Sequence, residues 1–311
     1  MHMTRFLRGG LLAIALVAGS LPRLAAQELI FGITAVDSQS ISDGINLVSF
    51  NSTTPGTFLS SVALSGTIAG HGVRSIDFNR LDGNIYALST SGTTPSEGQI
   101  YTVNRTTGAL TTVGSTFTLA GSTLRSAEMD FIPGTNEVRV ISRSGQNARV
   151  NALTGALVQA GTNVAYVAGD PQAGNAPDFA AIAHRNDGTL FAWDYQSDAH
   201  VRVGGVAGSP SADNGESTTV FAPAAFLTSS AGIGMDVSPF SNTLYVTHDD
   251  PSNVNIMRLY TRDMATGAET VIGAYTAGTF VVDVTVVPEP TTVLAGIAGL
   301  FGLGYRLRRK V

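Results

Sequence analysis

From Leu29 to Val286 the chain alternates short runs of β-branched, aromatic and aliphatic residues with clusters of Gly, Pro, Asn and Asp. That is the pattern of strands joined by tight turns. An apolar–Asp–apolar triplet recurs at Ile76-Asp77-Phe78, Met129-Asp130-Phe131, Met235-Asp236-Val237 and Val282-Asp283-Val284. Asp77 and Asp130 are 53 residues apart, Asp130 and Asp236 are 106 apart, and the last step, to Asp283, is 47. Ile182-Ala183-His184 stands midway along the double step, with the aspartate missing. A fixed period of this length marks a repeated supersecondary unit.

Each triplet leads through a turn to a second strand. Asn79–Asn84 precedes Ile85–Leu88, Pro133–Asn136 precedes Val138–Ile141, Asn186–Gly188 precedes Leu190–Trp193, and Ser238–Asn242 precedes Leu244–Thr247. A third and fourth strand follow around a Thr-Gly turn at Thr107-Gly108, Thr154-Gly155 and Thr266-Gly267, with a worn copy near Gly204-Gly205. Each unit therefore reads as a four-stranded antiparallel meander. The first unit is split: Leu29–Thr34, Ile45–Phe50 and Phe58–Val62 supply three strands, and Thr279–Val286 supplies the missing first one. The predicted fold is all-β, a closed β-propeller of five four-stranded blades over residues 27–287. Closure of the ring removes exposed sheet edges. A β-sandwich would alternate too, but without a long fixed period or a strand shared between the two ends.

Both ends carry targeting patterns. Arg5 and Arg8 precede an apolar core from Leu11 to Leu21, and Leu24-Ala25-Ala26 offers small residues for cleavage before Gln27. Residues 1–26 thus read as a secretory signal peptide. Residues 288–311 divide into Pro288-Glu289-Pro290, an uncharged apolar stretch from Thr291 to Tyr305, and a basic end with Arg306, Arg308, Arg309 and Lys310. At ~1.5 Å per residue the apolar stretch spans about 22 Å as a helix, less than the ~30 Å hydrocarbon core. The charges after it place the C-terminus in the cytoplasm and the domain on the far side.

This tail resembles the PEP-CTERM sorting signal of Gram-negative bacteria, matching it at Pro288-Glu289-Pro290. The resemblance implies a transmembrane sorting helix over 291–305 and anchoring on the periplasmic side of the inner membrane. It further implies processing by an exosortase and delivery to the cell envelope, cell surface or exopolysaccharide matrix. The partners that follow are signal peptidase and exosortase, and after display a glycan or another envelope protein. The domain itself resembles an uncharacterised family of secreted, propeller-like repeat domains. That likeness is carried by Ile76-Asp77-Phe78 with Ile85–Leu88, by Gly145–Asn151 and by Tyr166–Gly174. It implies a fold and no reaction.

Composition narrows the chemistry. Cysteine is absent, which excludes disulfides, thiolate metal sites and a cysteine nucleophile. Between Gln27 and Val287 lie 11 arginines, no lysine and 22 of the 23 acidic residues, a net charge of −11. Such a surface repels nucleic acid and suits cations, neutral glycans or a basic partner. His71, His184, His200 and His248 are scattered without a zinc-binding spacing, and no nucleophile elbow or phosphate-binding loop appears.

Two oxygen-rich groups remain. Asp77, Asp130, Asp236 and Asp283 repeat once per blade, and read first as caps for backbone amides of their own blade turns. Convergence on a cation near the axis is the alternative. Asp249, Asp250, Asn253 and Asn255 cluster in one loop, as calcium ligation would need, but lack EF-hand spacing and read first as a solvated turn. Asp213–Glu216 reads the same way, and the Gly/Pro/Asn-rich stretch Asp170–Pro177 reads as a functional loop or as an Asp-Pro turn. The chain is thus read as a non-enzymatic propeller without a cofactor, calcium being the candidate cation. A propeller hydrolase or lyase with metal or carboxylates at the axial mouth is the alternative.

Overall fold

The computed structural model describes residues 27–36, 44–91, 97–118, 127–222 and 232–288. Their strands form five four-stranded antiparallel sheets in a propeller-like arrangement, with one short strand added to the fourth. Blade 1 contains β1 (Leu29–Ala35), β2 (Asn46–Asn51) and β3 (Phe58–Ala63). Blade 2 contains β4 (His71–Phe78), β5 (Ile85–Ser91), β6 (Glu97–Val103) and β7 (Leu110–Thr118). Blade 3 contains β8 (Ala127–Phe131), β9 (Glu137–Ser142), β10 (Asn147–Asn151) and β11 (Leu157–Ala160). Blade 4 contains β12 (Ala165–Tyr166), β13 (Phe179–His184), β14 (Leu190–Asp194), β15 (Ala199–Val203) and β16 (Glu216–Phe221). Blade 5 contains β17 (Gly234–Val237), β18 (Leu244–Asp250), β19 (Asn253–Arg262) and β20 (Glu269–Ala274). The last strand, β21 (Phe280–Val287), returns to blade 1 and pairs antiparallel with β1, Leu29 opposite Val287.

The turn chemistry explains the outer hairpins. Asn104 Oδ1 accepts the N–H groups of Thr106 and Thr107 at 2.9 and 3.1 Å, and Gly108 N–H returns to Asn104 O at 2.8 Å. Asn151 and Asp263 organise the equivalent turns of blades 3 and 5 in the same way. Such side-chain-to-backbone turns favour Asn or Asp at the first position. Gly108 has φ +72°, and a Cβ there would lie 2.1 Å from Ala63 O in β3. At Gly155 a Cβ would lie 2.3 Å from Val113 O in β7. Each of these turns seats on the outer strand of the preceding blade and covers backbone that would be an open edge.

Blade 4 departs from the pattern. Two 3-10 turns, at Val206–Gly208 and Ala212–Asn214, replace the worn Thr-Gly turn. Ahead of the blade, β12 pairs parallel with β16, Ala165 opposite Glu216, adding a strand that the repeat did not predict.

Apolar side chains pack between neighbouring blades. Leu88, Ile100, Met129 and Val140 join blades 2 and 3, while Ile30, Phe50, Leu259 and Val284 join blades 5 and 1. Each such side chain contributes about 1.5–3 kcal/mol when fully buried. The inner strands β4, β8, β13, β17 and β21 are neighbours in turn. Residues 1–26 and 289–311, with the signal-peptide and sorting-helix expectations, lie outside the described residues. Among the described residues no helix is long and apolar enough to cross a membrane.

Candidate functional site

Inner-strand side chains join one blade to the next. Asp77 Oδ2 accepts the Phe131 N–H at 2.6 Å, Asp130 Oδ1 the His184 N–H at 2.9 Å, and Asp236 Oδ2 the Val286 N–H at 2.6 Å. Thr285 Oγ1 accepts the Phe78 N–H at 3.1 Å. Every donor immediately follows a ring position of the next blade, so the ring is Asp77, Asp130, Ala183, Asp236 and Thr285. Asp283 is not its fourth aspartate. It lies two residues out of register, where its Oδ2 accepts the Ile76 N–H at 2.7 Å, as Ser75 Oγ accepts the Met129 N–H at 3.2 Å. Asp283 thus belongs to a second tier with Ser75, Glu128, Ala181 and Gly234. The expectation that each Asp caps its own blade also needs correcting. Asp77 Oδ1 does accept its own Phe78 N–H at 2.6 Å, but the recurrent bond crosses to the next blade.

A fully ionised ring would leave one of the Thr285 contacts without a proton. Thr285 Oγ1 lies 2.9 Å from Asp77 Oδ1 and 3.2 Å from Asp236 Oδ2. One hydroxyl proton serves one of these contacts, so the other is a hydrogen bond only if a carboxyl carries a proton. The electrostatics agree. Burial, then the Asp130 charge, raises Asp77 to about 7, and burial raises Asp130 to about 8. Burial followed by repulsion from Asp77 and Asp130 lifts Asp236 well above the usual range. In the second tier burial lifts Asp283 to about 8, and burial with the Asp283 charge lifts Glu128 well above its ordinary value. His184 Nδ1 lies 2.6 Å from Asp130 Oδ1, and burial holds that imidazole down at about 3, so it is neutral.

Asp77, Asp130 and Asp236 bring oxygens within 4.8 Å of one another, the one such group of acidic or histidine side chains among the described residues. With His184, Arg80 and Pro239 they line a cavity of about 20 Å³, room for roughly one water. The turns around it are cross-linked. Asn79 Nδ2 donates to Asn136 Oδ1 at 3.0 Å, Arg80 Nη1 to Asn186 Oδ1 at 2.5 Å, and Asn186 Nδ2 to Pro239 O at 3.1 Å. The Arg80 charge favours the ionised forms of Asp130 and Asp236, so the mouth carries its own countercharge. Calcium takes about six to eight oxygens. Here several carboxylate oxygens are spent on backbone N–H groups and the space holds little more than a water, so the donor set fits calcium poorly.

Residues 46–285 match the profile of the family described as Domain of unknown function (DUF4394). The chain belongs to this family. No curated protein matches the DUF4394 chain. Among solved structures it is similar to a putative 6-phosphogluconolactonase from Bacteroides uniformis, at 16% identity and a TM-score of 0.42 over 84% of this chain and 99% of that one. A second putative 6-phosphogluconolactonase, from Bacteroides fragilis, gives 14% identity and a TM-score of 0.44 over 85% and 99%. The Malassezia sympodialis allergen Mala s 1 gives 10% and 0.44 over 76% and 78%. At these values none of the three carries an activity to this chain.

The other candidate residues of the DUF4394 domain are committed locally. Asp250 Oδ1 accepts the Ser252 N–H and hydroxyl at 2.8 and 2.7 Å, and its Oδ2 accepts Arg258 Nε at 2.6 Å. Asn253 Oδ1 accepts the Asn255 N–H at 3.1 Å, and Asp249 is buried in β18. Asp213 is bound by Arg139 at 2.5 Å and Arg149 at 3.2 Å, and Asp170 holds Thr219 through two contacts of 2.7 Å. Sequence reading overlooked Thr285, Glu128 and Glu28. Glu28 ties the start of β1 to blade 5, with Ser238 Oγ at 2.5 Å and Tyr245 Oη at 2.7 Å. The 53-residue period did contain a signal for Glu128, which lies 53 residues after Ser75.

Proposed function

We propose that this chain is an exported cell-envelope protein whose propeller, closed by β21, is a non-enzymatic binding or matrix module. In this reading residues 1–26 are a signal peptide, 27–287 the propeller and 288–311 the sorting tail. The tail holds the protein in the inner membrane until an exosortase processes it, and display on the envelope or in exopolysaccharide follows. The destination rests on Pro288-Glu289-Pro290, the apolar stretch and the basic end. The observation that carries the non-enzymatic part is the use of the axial carboxylates: Asp77, Asp130 and Asp236 each hold a backbone N–H of the next blade. A neutral glycan or an envelope protein is the ligand class that suits a net charge of −11 without a basic stripe.

Processing is tested by intact mass of material from the native host. The mature chain should lack residues 1–26 and those after the Pro-Glu-Pro motif, and Glu289→Ala should leave unprocessed protein in the inner membrane. Native material that still carries Arg306–Val311 would remove the sorting reading.

One observation favours a second reading, a hydrolase or lyase. Three carboxyls with raised proton affinity within 4.8 Å of each other are a recurrent mark of acid–base sites. The 20 Å³ cavity argues against it, since a substrate needs far more space. Glycoside or lactone hydrolysis that disappears in Asp77→Asn while the melting temperature holds would establish the enzyme.

A further inference from the structure

A groove of about 430 Å³ opens between blades 4 and 5, away from the axis. Phe191, Val206 and Val220 of blade 4 and Met264 of blade 5 form an apolar wall, and Thr189, Arg185, Arg202 and Asp263 bring polar groups to it. The charges are balanced. Arg185 is paired with Asp187, and Asp263 accepts the turn amides of Ala265 and Thr266 at 2.9 and 2.8 Å. Arg202 is less committed: only its Nε is bonded, to Gly204 O at 3.3 Å, and its Nη groups have no protein partner among the described residues.

Behind the wall lie buried polar groups. His200 is fully buried and stacks on Phe191 at 4.9 Å. Arg262, which precedes the Asp263–Met264 rim, has a fully buried side chain lying 3.6 Å over Trp193. Its Nη1 is unpartnered, and Nη2 approaches Glu269 Oε1 at 3.0 Å without hydrogen-bond geometry.

We infer that this groove binds an uncharged sugar ring of a glycan. The inference rests on the glycan reading of the function above and names its site. A pyranose has an apolar face of C–H groups and a rim of hydroxyls that both donate and accept. The Phe191, Val220 and Met264 wall matches the face. Arg202 as donor and Asp263 as acceptor match the rim. A groove without net charge selects a neutral sugar over an acidic one. The volume lies within the range of small-ligand sites, about 300–1,000 Å³.

Binding is read by isothermal titration calorimetry. Full-length protein in detergent is titrated with D-glucose, D-galactose and D-mannose, and with D-glucuronate as the charged control. At least one neutral hexose should bind saturably and more tightly than glucuronate. Arg202→Gln should weaken it about tenfold, as loss of a hydrogen bond to a charged group predicts. Val206→Glu, at an exposed position on the wall, should weaken it similarly without affecting the fold. If a hexose binds the parent and both variants equally, the groove is not the site although the glycan reading stands. If no neutral hexose binds, or glucuronate binds more tightly than all three, the inference is wrong.

Discussion

The axial ring should make folding stability fall as pH rises through neutrality. Asp77 and Asp130 are held at about 7 and 8, and Asp236 well above the usual range. Their folded-state values lie above those of the unfolded chain. The stability they supply is therefore fully present below about pH 4 and is lost as pH climbs through the folded values. His184 and His200 act in the opposite sense, because burial holds them at about 3 and about 4. Their contribution is present above about 6.5 and is lost as pH falls through those lowered values. Asp250 is held at about 2, and Asp187 lower still, so they titrate below this region. Between about pH 6.5 and 8 the ring consequently acts in the same direction as Asp283 of the second tier, held at about 8, and Glu128.

One proton retained on folding corresponds to about 1.4 kcal/mol per pH unit, or about 2 kcal/mol from pH 6.5 to 8. For a domain of this size that lowers the melting temperature by roughly 4–8 °C. The assay is scanning calorimetry at pH 6.5, 7.25 and 8 with a chelator present. Asp236→Asn supplies the control, since the amide keeps an acceptor for the Val286 N–H and cannot ionise beside Asp77 and Asp130. Its pH dependence should be shallower, and at pH 8 it should equal or exceed the parent. A parent whose stability is flat or rising over this range would refute the shared proton. A stoichiometric cation that stabilises the parent at pH 8 and is lost in Asp236→Asn would refute the architectural reading as well.

Further outcomes follow from the same geometry. Asp130→Asn should change stability little, whereas Asp130→Ala leaves the buried His184 N–H unpaired and should cost about 1–3 kcal/mol by denaturant unfolding. Thr285→Val removes the cross-blade acceptor of the Phe78 N–H, which keeps Asp77 Oδ1, and so should cost less, about 0.5–1.5 kcal/mol, with Thr285→Ser restoring most of it in the same assay. Gly234→Ala places a Cβ 2.4 Å from the Asp283 Cα, a backbone clash that should lower stability by about 1–3 kcal/mol or more, read from the urea midpoint. Deleting Phe280–Val287 exposes the β1 edge and should abolish the cooperative circular-dichroism melt; an unchanged melt would contradict closure by β21.

The blades were legible because their signals are local. An apolar–polar alternation, a Gly or Asn turn and a 53-residue spacing all lie within one stretch of chain, and the same holds for Thr279–Val286 as the partner of β1. The ring was legible only in part. Ile76-Asp77-Phe78 and Val282-Asp283-Val284 look alike as triplets, yet the second is offset by two residues, which keeps the side chain on the same face and moves it one tier along the axis. A pattern with period two cannot detect a slip of two. Nor can it show which amide a carboxylate accepts, because each donor belongs to the next blade, some 50 or more residues away.

Ala183 shows how the fold accommodates what the repeat lacks. Without a carboxylate there, blade 4 cannot make the axial bond to blade 5 that Asp77 and Asp130 make at their own junctions. That junction instead carries a dense aromatic and ionic cluster away from the axis. Arg262 lies over Trp193, His248 stacks on Tyr260 at 4.1 Å, and Glu269 reaches Arg262 Nε at 3.1 Å and His248 Nε2 at 3.2 Å. Trp193 Nε1 is in turn held by Asp198 Oδ1 at 2.7 Å. In a ring every junction must hold, since one open seam exposes two sheet faces to water. A missing axial bond therefore has to be offset within its own pair of blades. The blade that departs most from the repeat, with its added strand, its altered turn and its missing aspartate, is the one that borders the chain's candidate ligand site.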